Sequence, residues 1–372
     1  MTENVLCSSC NIEINEEDAY IVDNKFLCGN CYDSETSSCA RCGERVWNDN
    51  NSGNDDTPLC HDCYTYHYHD CSRCGRLVAD STAYYTEEDY DDENPYCYSC
   101  YDRYEGNKYL RPYGYKPKPI FHGDGNRFFG VELEIDDAGK LERNAEILCR
   151  LANIKESNIY IKTDGSLCDG LEIVTHPMTL DYHMNVMEWE LLLAQALGLG
   201  YKSHQAETCG LHVHVNRSSF SDDYYRQEEC IARILYLVER FWQELLRFSR
   251  RTQSQLKKWA NRYGYKERPA EILDNAKSNF AGRYTCVNLT NEHTIEFRIF
   301  RGTLKYNTLI ATLQLVNEMC ELASSLRDEA VADLSWCDFV ERISPDKCPE
   351  LIAYLKERRL YINEPIEHEE EI

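Results

Sequence analysis

The chain has 372 residues, with 64 acidic against 40 basic side chains and a formal charge of −24. That charge excludes a nucleic-acid partner bound by counterion release, which requires a basic surface. No stretch is long and apolar enough to span a bilayer. The start, Met-Thr-Glu-Asn-Val-Leu-Cys, has no basic or apolar leader, so a reducing, cytoplasmic setting is expected for the 20 cysteines.

Twelve of those cysteines precede residue 101 as six Cys-x-x-Cys pairs. Cys7/Cys10 is followed after 17 residues by Cys28/Cys31, and Cys39/Cys42 after 17 by Cys60/Cys63. Cys71/Cys74 is followed after 22 by Cys97/Cys100. The period is about thirty-two residues, and Tyr32, Tyr64 and Tyr101 follow the second pairs. Each Cys-x-x-Cys turn presents two thiolates, and two turns close a tetrahedral shell. Three structural zinc sites with protein-only ligands are therefore expected, supplying most of the folding energy of units too small for a core. His61, His67 and His69 are read as exposed loop residues rather than ligands. Residues 1–110 hold 23 acids and 7 bases, net −16; the remainder holds 41 and 33, net −8. An acidic zinc module favours a protein partner with a basic patch. Residues 7–100 resemble LIM and treble-clef-like zinc-ribbon modules, which bind proteins, but differ from LIM in having three units and no histidine ligand.

The expected organisation is zinc repeats over 1–107, a Pro/Gly/Tyr linker over 108–123, a second domain over 124–360 and a disordered acidic tail over 361–372. Three prolines and two glycines exclude a helix from the linker. In the second domain, strands are predicted at 128–135, 159–163, 171–175, 211–216, 284–290 and 294–300, the last two as a hairpin around Asn291-Glu292-His293. Helices are predicted at 181–197, 223–249 and 306–327. Strands that do not alternate regularly with helices indicate an α+β fold, a largely antiparallel sheet backed by helices.

Four strings place polar groups on strands: Gly-Val-Glu132-Leu-Glu134-Ile, Leu-Glu172-Ile-Val, Gly-Leu-His212-Val-His214-Val-Asn216 and Thr-Ile-Glu296-Phe-Arg298-Ile-Phe. Period-2 alternation puts Glu132 with Glu134, His212 with His214 and Asn216, and Glu296 with Arg298, opposite apolar neighbours. Taken singly, each string also fits a solvated sheet face, and Glu296–Arg298 a surface pair. Together they point to a face that holds Mg²⁺ or Mn²⁺ with carboxylates and imidazoles, and phosphate or carboxylate with arginine.

Five motifs in order, Phe-Gly-Val-Glu132-Leu-Glu134, Thr-Asp164-Gly165-Ser166-Leu, Leu-Glu172-Ile-Val-Thr-His-Pro177, Cys-Gly210-Leu-His212-Val-His214-Val and Thr-Ile-Glu296-Phe-Arg298-Ile-Phe-Arg-Gly302-Thr-Leu, resemble the amidoligase family. That family is grouped with glutamine synthetase and glutamate–cysteine ligase. The resemblance implies a curved antiparallel sheet that binds ATP and two or three Mg²⁺, and amide formation through an acyl phosphate. It implies Glu132, Glu134, Glu172, His212 and Glu296 as metal ligands, His214 behind them or facing phosphate, and Arg298 on a phosphate. Asp164 is either a base for the amine or an Asp-Gly turn, and Ser166 is read as turn chemistry. Cys168, Cys209 and Cys286 flank these strings, and the cysteine of Cys-Val-Asn, Cys286, is read as a small core residue rather than a nucleophile. Arg283 and Arg301 are candidates for phosphate contacts at strand ends. Lys257, Lys258, Trp259 and Arg262 form either a nucleotide-side loop or a polar helix end. The competing functions are a non-enzymatic interaction scaffold and a metal-dependent hydrolase using His212 and His214.

Overall fold

A computed structural model of the chain describes residues 4–85, 95–101, 109–278, 282 and 284–362. Arg283, residues 102–108 at the expected domain boundary, and 363–372 of the expected tail lie outside the described residues. The chain divides into two compact units, residues 1–106 with 114–118, and residues 107–113 with 119–372.

The first unit repeats one construction. A short hairpin carries each first cysteine pair at its tip: Asn4–Leu6 pairs with Glu13–Asn15, Thr36–Ser38 with Arg45–Trp47, and Tyr68–Asp70 with Leu77–Ala79. The residue after each pair, Asn11, Gly43 or Gly75, has positive φ (59°, 77° and 66°), a conformation open to glycine and tolerated by asparagine. The N–H of each returns to the carbonyl of Cys7, Cys39 or Cys71, which closes the turn that aims both thiols the same way. In the first two repeats the second pair opens a one- to two-turn helix, Gly29–Glu35 or His61–His67, with Cys28 or Cys60 at the N-cap. Each of these helices runs without a spacer into the first strand of the next hairpin.

The tyrosine of the repeat joins successive modules. Arg45 of the second hairpin stacks on Tyr32, 4.2 Å from guanidinium carbon to ring centroid, and donates to the Tyr32 carbonyl at 3.1 Å. Trp47 packs on the core formed by Cys7, Val22, Leu27 and Cys31. At the next junction Tyr64, Tyr68 and Leu77 pack on Cys39, Leu59, Cys60 and Cys63.

The second unit is α+β. Its sheet strands are β1 (Leu110–Arg111), β2 (Phe129–Ile135), β3 (Ile159–Lys162), β4 (Leu171–Thr175), β5 (Gly210–Asn216), β6 (Val287–Asn288) and β7 (Thr294–Arg301). Among the described residues they form one seven-stranded sheet in the order β6-β7-β5-β2-β4-β3-β1. All neighbours are antiparallel except β1 and β3, which are parallel. Alternation sends Val131, Leu133, Ile173, Leu211, Val213, Ile295 and Phe297 into a core that also buries Leu235, Leu309, Leu313 and Val316 from the helices behind.

Helices follow from caps and apolar stripes. α1 spans Glu142–Ala152, α2 Leu180–Asn185 and α3 Trp189–Gly198. α4 spans Tyr224–Arg240, α5 Trp242–Ser249, α6 Gln253–Trp259 and α7 Pro269–Ser278. α8 spans Tyr306–Ser325, and three shorter helices follow it: α9 (Asp328–Asp333), α10 (Trp336–Arg342) and α11 (Pro349–Glu357). Thr179, Asp223 and Thr252 cap α2, α4 and α6 with side-chain oxygens.

Four elements differ from expectation. The helix over 223–249 breaks at Phe241 (φ −95°, ψ 24°), where Phe241 and Trp242 both bury. The helix over 181–197 splits around Val186–Glu188, which lets the Trp189 indole donate to His183 Nδ1 at 3.2 Å. The strand over 284–290 keeps only Val287–Asn288 in the ladder. The linker contributes an edge strand, since Leu110 and Arg111 register with Ile161 and Lys162.

Candidate active site

The polar strings converge through the register of the sheet. Glu132 lies opposite His212, Glu134 opposite Glu172, His214 opposite Glu296, Lys162 opposite Glu172, and Asn288 opposite Glu296. The result is a continuous polar row from β6 to β3. Gly130 and Gly210 share its face, and a Cβ at residue 210 would lie 2.9 Å from both Arg251 Nη2 and His212 Nε2. Glycine there leaves the room that His212 and Glu134 occupy.

This row is not a wet sheet face. Glu134, Glu172, His212, Glu296 and Asn288 are each under a tenth exposed. The Glu296 and Arg298 side chains are 4% and 12% exposed, so they are not a surface pair. Isolated charges at such depth are costly, and each must be paired or hold a ligand.

Two overlapping donor groups result. Glu132, His212 and Glu296 each offer one ligand atom within 4.8 Å of the others, and so do Glu134, Glu172 and His212. His212 belongs to both, and His214 to neither. His212 Nδ1 lies 3.3 Å from Glu132 Oε2 and 3.5 Å from Glu296 Oε1, and His214 Nε2 lies 3.4 Å from Glu132 Oε1. The five members are the residues that the motif resemblance nominates as metal ligands. Four carboxylates, two in each group, around a shared imidazole are a hard donor set suited to Mg²⁺ or Mn²⁺.

The electrostatics of the row suit a bound cation. Burial, and then the charge of Glu132, push the Glu172 carboxyl well above the usual carboxylate range. Burial also pushes Glu132 up, but Lys162 and His214 outweigh it and hold that carboxyl well below its usual value. Burial would likewise raise Glu296, yet His214 and His212 lower it. Two glutamates directly opposite across β2 and β4 repel, and a divalent cation among their oxygens would favour both charged forms. Two buried nitrogens, Arg298 Nε and His214 Nε2, have no hydrogen-bond partner among the described residues. Each therefore keeps an unused hydrogen-bonding capacity on the row.

Arg298 is held from both ends. Its Nη1 donates to Glu296 Oε1, whose other oxygen accepts from Asn288 Nδ2 at 2.7 Å. Its carbonyl accepts from Arg251 Nη1 at 2.8 Å. The register of β5 and β7 shifts between Leu211 and Val213, so that Phe300 falls opposite Leu211 and Phe297 opposite Val213. This bulge lets Phe297 and Phe300 both bury while Arg298 faces the row.

Lys162, Arg251 and Asn288 belong to the site and are not among the sequence candidates. Lys162 Nζ lies 3.1 Å from Glu172 Oε2. The sequence signal for it was a lysine closing the otherwise apolar Ile-Tyr-Ile strand. Asn288 sits in Cys-Val-Asn, which alternation places on the polar face. Arg251 follows α5 and carries no local signal.

Other candidates fall elsewhere. Asp164 Oδ1 accepts from Ser166 N at 2.6 Å and from the Ser166 hydroxyl, a local turn at the edge of the row. Arg301 lines a cavity at the end of β7 that includes none of the five donors. Arg262 pairs with buried Glu239 at 2.7 Å and stacks on Trp242, while Lys258 lies over the Trp259 ring within α6. Burial pushes the Cys209 and Cys286 thiols up to about 12, which suits core residues and not nucleophiles. Cys168 is exposed.

In the first unit, four cysteines gather in each repeat: Cys7, Cys10, Cys28 and Cys31; Cys39, Cys42, Cys60 and Cys63; Cys71, Cys74, Cys97 and Cys100. The Cys10–Cys28, Cys42–Cys60 and Cys74–Cys97 sulfurs are 3.7, 3.8 and 3.8 Å apart. Four ligands at about 2.3 Å around a tetrahedral zinc are separated by about 3.8 Å, whereas a disulfide needs about 2.05 Å. Backbone N–H groups of Cys28 and Cys97 donate to the Cys7 and Cys71 sulfurs at 3.3 Å, as suits thiolates. Among the described residues no histidine joins these groups; His69 Nε2 instead meets Asp80 at 2.8 Å.

The fold and donor set define an α+β domain with two candidate metal-donor groups, preceded by four-cysteine zinc-ribbon-like modules. Residues 140–320 match the family described as "Putative amidoligase enzyme", which supports a ligase-like enzyme. The match takes in the Asp164, Glu172, His212 and Glu296 strings; β2, with Glu132 and Glu134, precedes it. No curated protein matches the chain. Among the described residues no helix is long and apolar enough to cross a membrane.

Proposed function

We propose that the second unit is an ATP- and Mg²⁺-dependent carboxylate–amine ligase working through an acyl phosphate, on a sheet of the glutamine-synthetase type. The observation that carries this reading is the pair of donor groups sharing His212, with Arg298 and Lys162 on the same row. Glu132, Glu134, Glu172, His212 and Glu296 would hold two or three Mg²⁺, which supply charge neutralisation for phosphoryl oxygens. Arg298 offers its unpartnered Nε to an oxygen that gains charge in the transition state. Burial would lower the pKa of His214, but Glu132 and Glu296 raise it on balance, and its ring adds a second nitrogen donor. Lys162 neutralises Glu172 from the far side of the row. Asp164, tied up in its turn, is the weaker candidate for deprotonating the amine.

We also propose that the first unit holds three structural zinc ions and recruits a protein substrate or partner through its acidic surface, in a reducing cytoplasmic setting, without nucleic acid. The test of the ligase is ADP release by the full chain with Mg-ATP and pooled carboxylates and amines. Release should require both pools and be abolished by Glu134→Ala. ADP release indifferent to the pools and to Glu134→Ala would defeat the ligase reading. Metal-dependent hydrolysis without ATP would favour the hydrolase, and neither activity the scaffold.

A further inference from the structure

The cavity at the end of β7 has chemistry of its own. It is open to solvent, has a free volume of about 80 Å³, and is lined by Arg250, Arg301, Lys305, His204 and Thr308, with Phe248, Phe300 and Tyr354 as walls. In a chain of net charge −24, its lining is cationic. Lys305 is neutralised by Glu357, which also lines the cavity, at 3.1 Å. Among the described residues the guanidinium groups of Arg250 and Arg301 have neither an ion pair nor a hydrogen bond.

Three further observations point the same way. Burial, together with the nearby charge of Arg250, lowers the pKa of Arg301, so the two cations sit close enough to repel. His204 Nδ1 is buried without a hydrogen-bond partner among the described residues, and burial with the charges of Arg301 and Arg250 lowers the pKa of this imidazole. Arg250 ends α5 at φ 57°, a left-handed position at which glycine or asparagine costs less. A protein with no use for the charge there has a cheaper residue available.

We propose that this cavity binds the phosphate group of a small molecule, at a site separate from the carboxylate–imidazole row. Two guanidinium forks and a threonine hydroxyl offer more donors than a carboxylate's two oxygens can take, whereas phosphate presents at least three oxygens and a double charge. The proposal does not rest on the ligase reading, since it needs neither metal nor ATP.

The experiment titrates inorganic phosphate into the zinc-replete full chain, free of Mg²⁺ and ATP, at constant ionic strength, with acetate as the carboxylate arm. Calorimetry should detect phosphate, with acetate on the order of tenfold weaker or undetected. Arg250→Gln and Arg301→Gln should each weaken phosphate binding on the order of tenfold or more, and Arg298→Gln should leave it within about twofold. Circular dichroism of each variant verifies that it is folded. No binding by the native chain at about 10 mM phosphate overturns the proposal. So does unchanged affinity in both cavity variants, equal affinity for acetate, or loss confined to Arg298→Gln, which would put the anion on the row.

Discussion

Replacing Arg298 by lysine keeps the charge and removes the planar fork. In the native site one arm serves Glu296 while Nε is buried without a hydrogen-bond partner. A lysine ammonium has one nitrogen for both tasks. It can keep the contact with Glu296, so the folded state should lose less than about 1 kcal/mol. It cannot also reach the oxygen that Nε would meet. A charge-assisted hydrogen bond is worth about 1.5–3 kcal/mol, and its loss at this depth is little screened because the Arg298 and Glu296 side chains are 12% and 4% exposed. If the bond forms in the transition state only, turnover falls ~100-fold, equivalent to about 3 kcal/mol. Calorimetry should find Mg-ATP affinity within about threefold of native, and coupled ADP release should give the rate. Unaltered turnover accompanied by a lowered melting temperature would remove Arg298 from the chemistry and leave it a packing residue.

Three other outcomes are expected. A high-affinity zinc chelator should abolish the structure of residues 1–101, read by proteolysis, and leave the second unit intact, because four-sulfur sites provide the folding energy of such modules; a protease-resistant first unit after metal removal would refute this. Burial lowers His183 to about 4, with Nε2 donating to the Phe129 carbonyl and Nδ1 accepting from Trp189. The folded pKa lies below the ordinary value of about 6.5, so this contribution is complete above pH 6.5 and lost as pH falls toward 4, up to about 3 kcal/mol. Urea unfolding across that window should steepen with acidity, and His183→Leu, though less stable, should flatten the slope. Asp136 accepts from the backbone N–H of Asp137, Cys168 and Asp169 and from the Thr208 hydroxyl at 2.7–2.9 Å; Asp136→Asn should cost about 2–3 kcal/mol in urea unfolding and weaken Mg-ATP binding, since it fixes the turns flanking β4 and β5.

The carboxylates and imidazoles of the row were legible because strand alternation is a local rule, and each string carries its own apolar counterface. What alternation cannot say is which strands are neighbours. The sequence placed Glu134 and Glu172 on polar faces, but only register puts them directly opposite. Arg251 escaped because its role depends on where the chain after α5 lands, a tertiary fact. The Leu110–Arg111 strand is two residues long and parallel, too short to show a period. The break at Phe241 has no proline or glycine to announce it, since it follows from two adjacent aromatics that bury together. The zinc repeats were the most legible part, because ligand spacing there is itself the geometry.

The direct passage from each cysteine-bearing helix into the next hairpin has a consequence for metal loading. Helix Gly29–Glu35, which carries Cys31, runs into Thr36–Ser38, the strand that leads to Cys39; His61–His67, which carries Cys63, runs likewise into Tyr68–Asp70 and Cys71. Filling one site therefore orders half of the hairpin of its neighbour. The three sites should then load as a short linear lattice with favourable nearest-neighbour coupling. At substoichiometric metal, ions should gather on some chains as filled runs and leave other chains empty, rather than spread one to a chain.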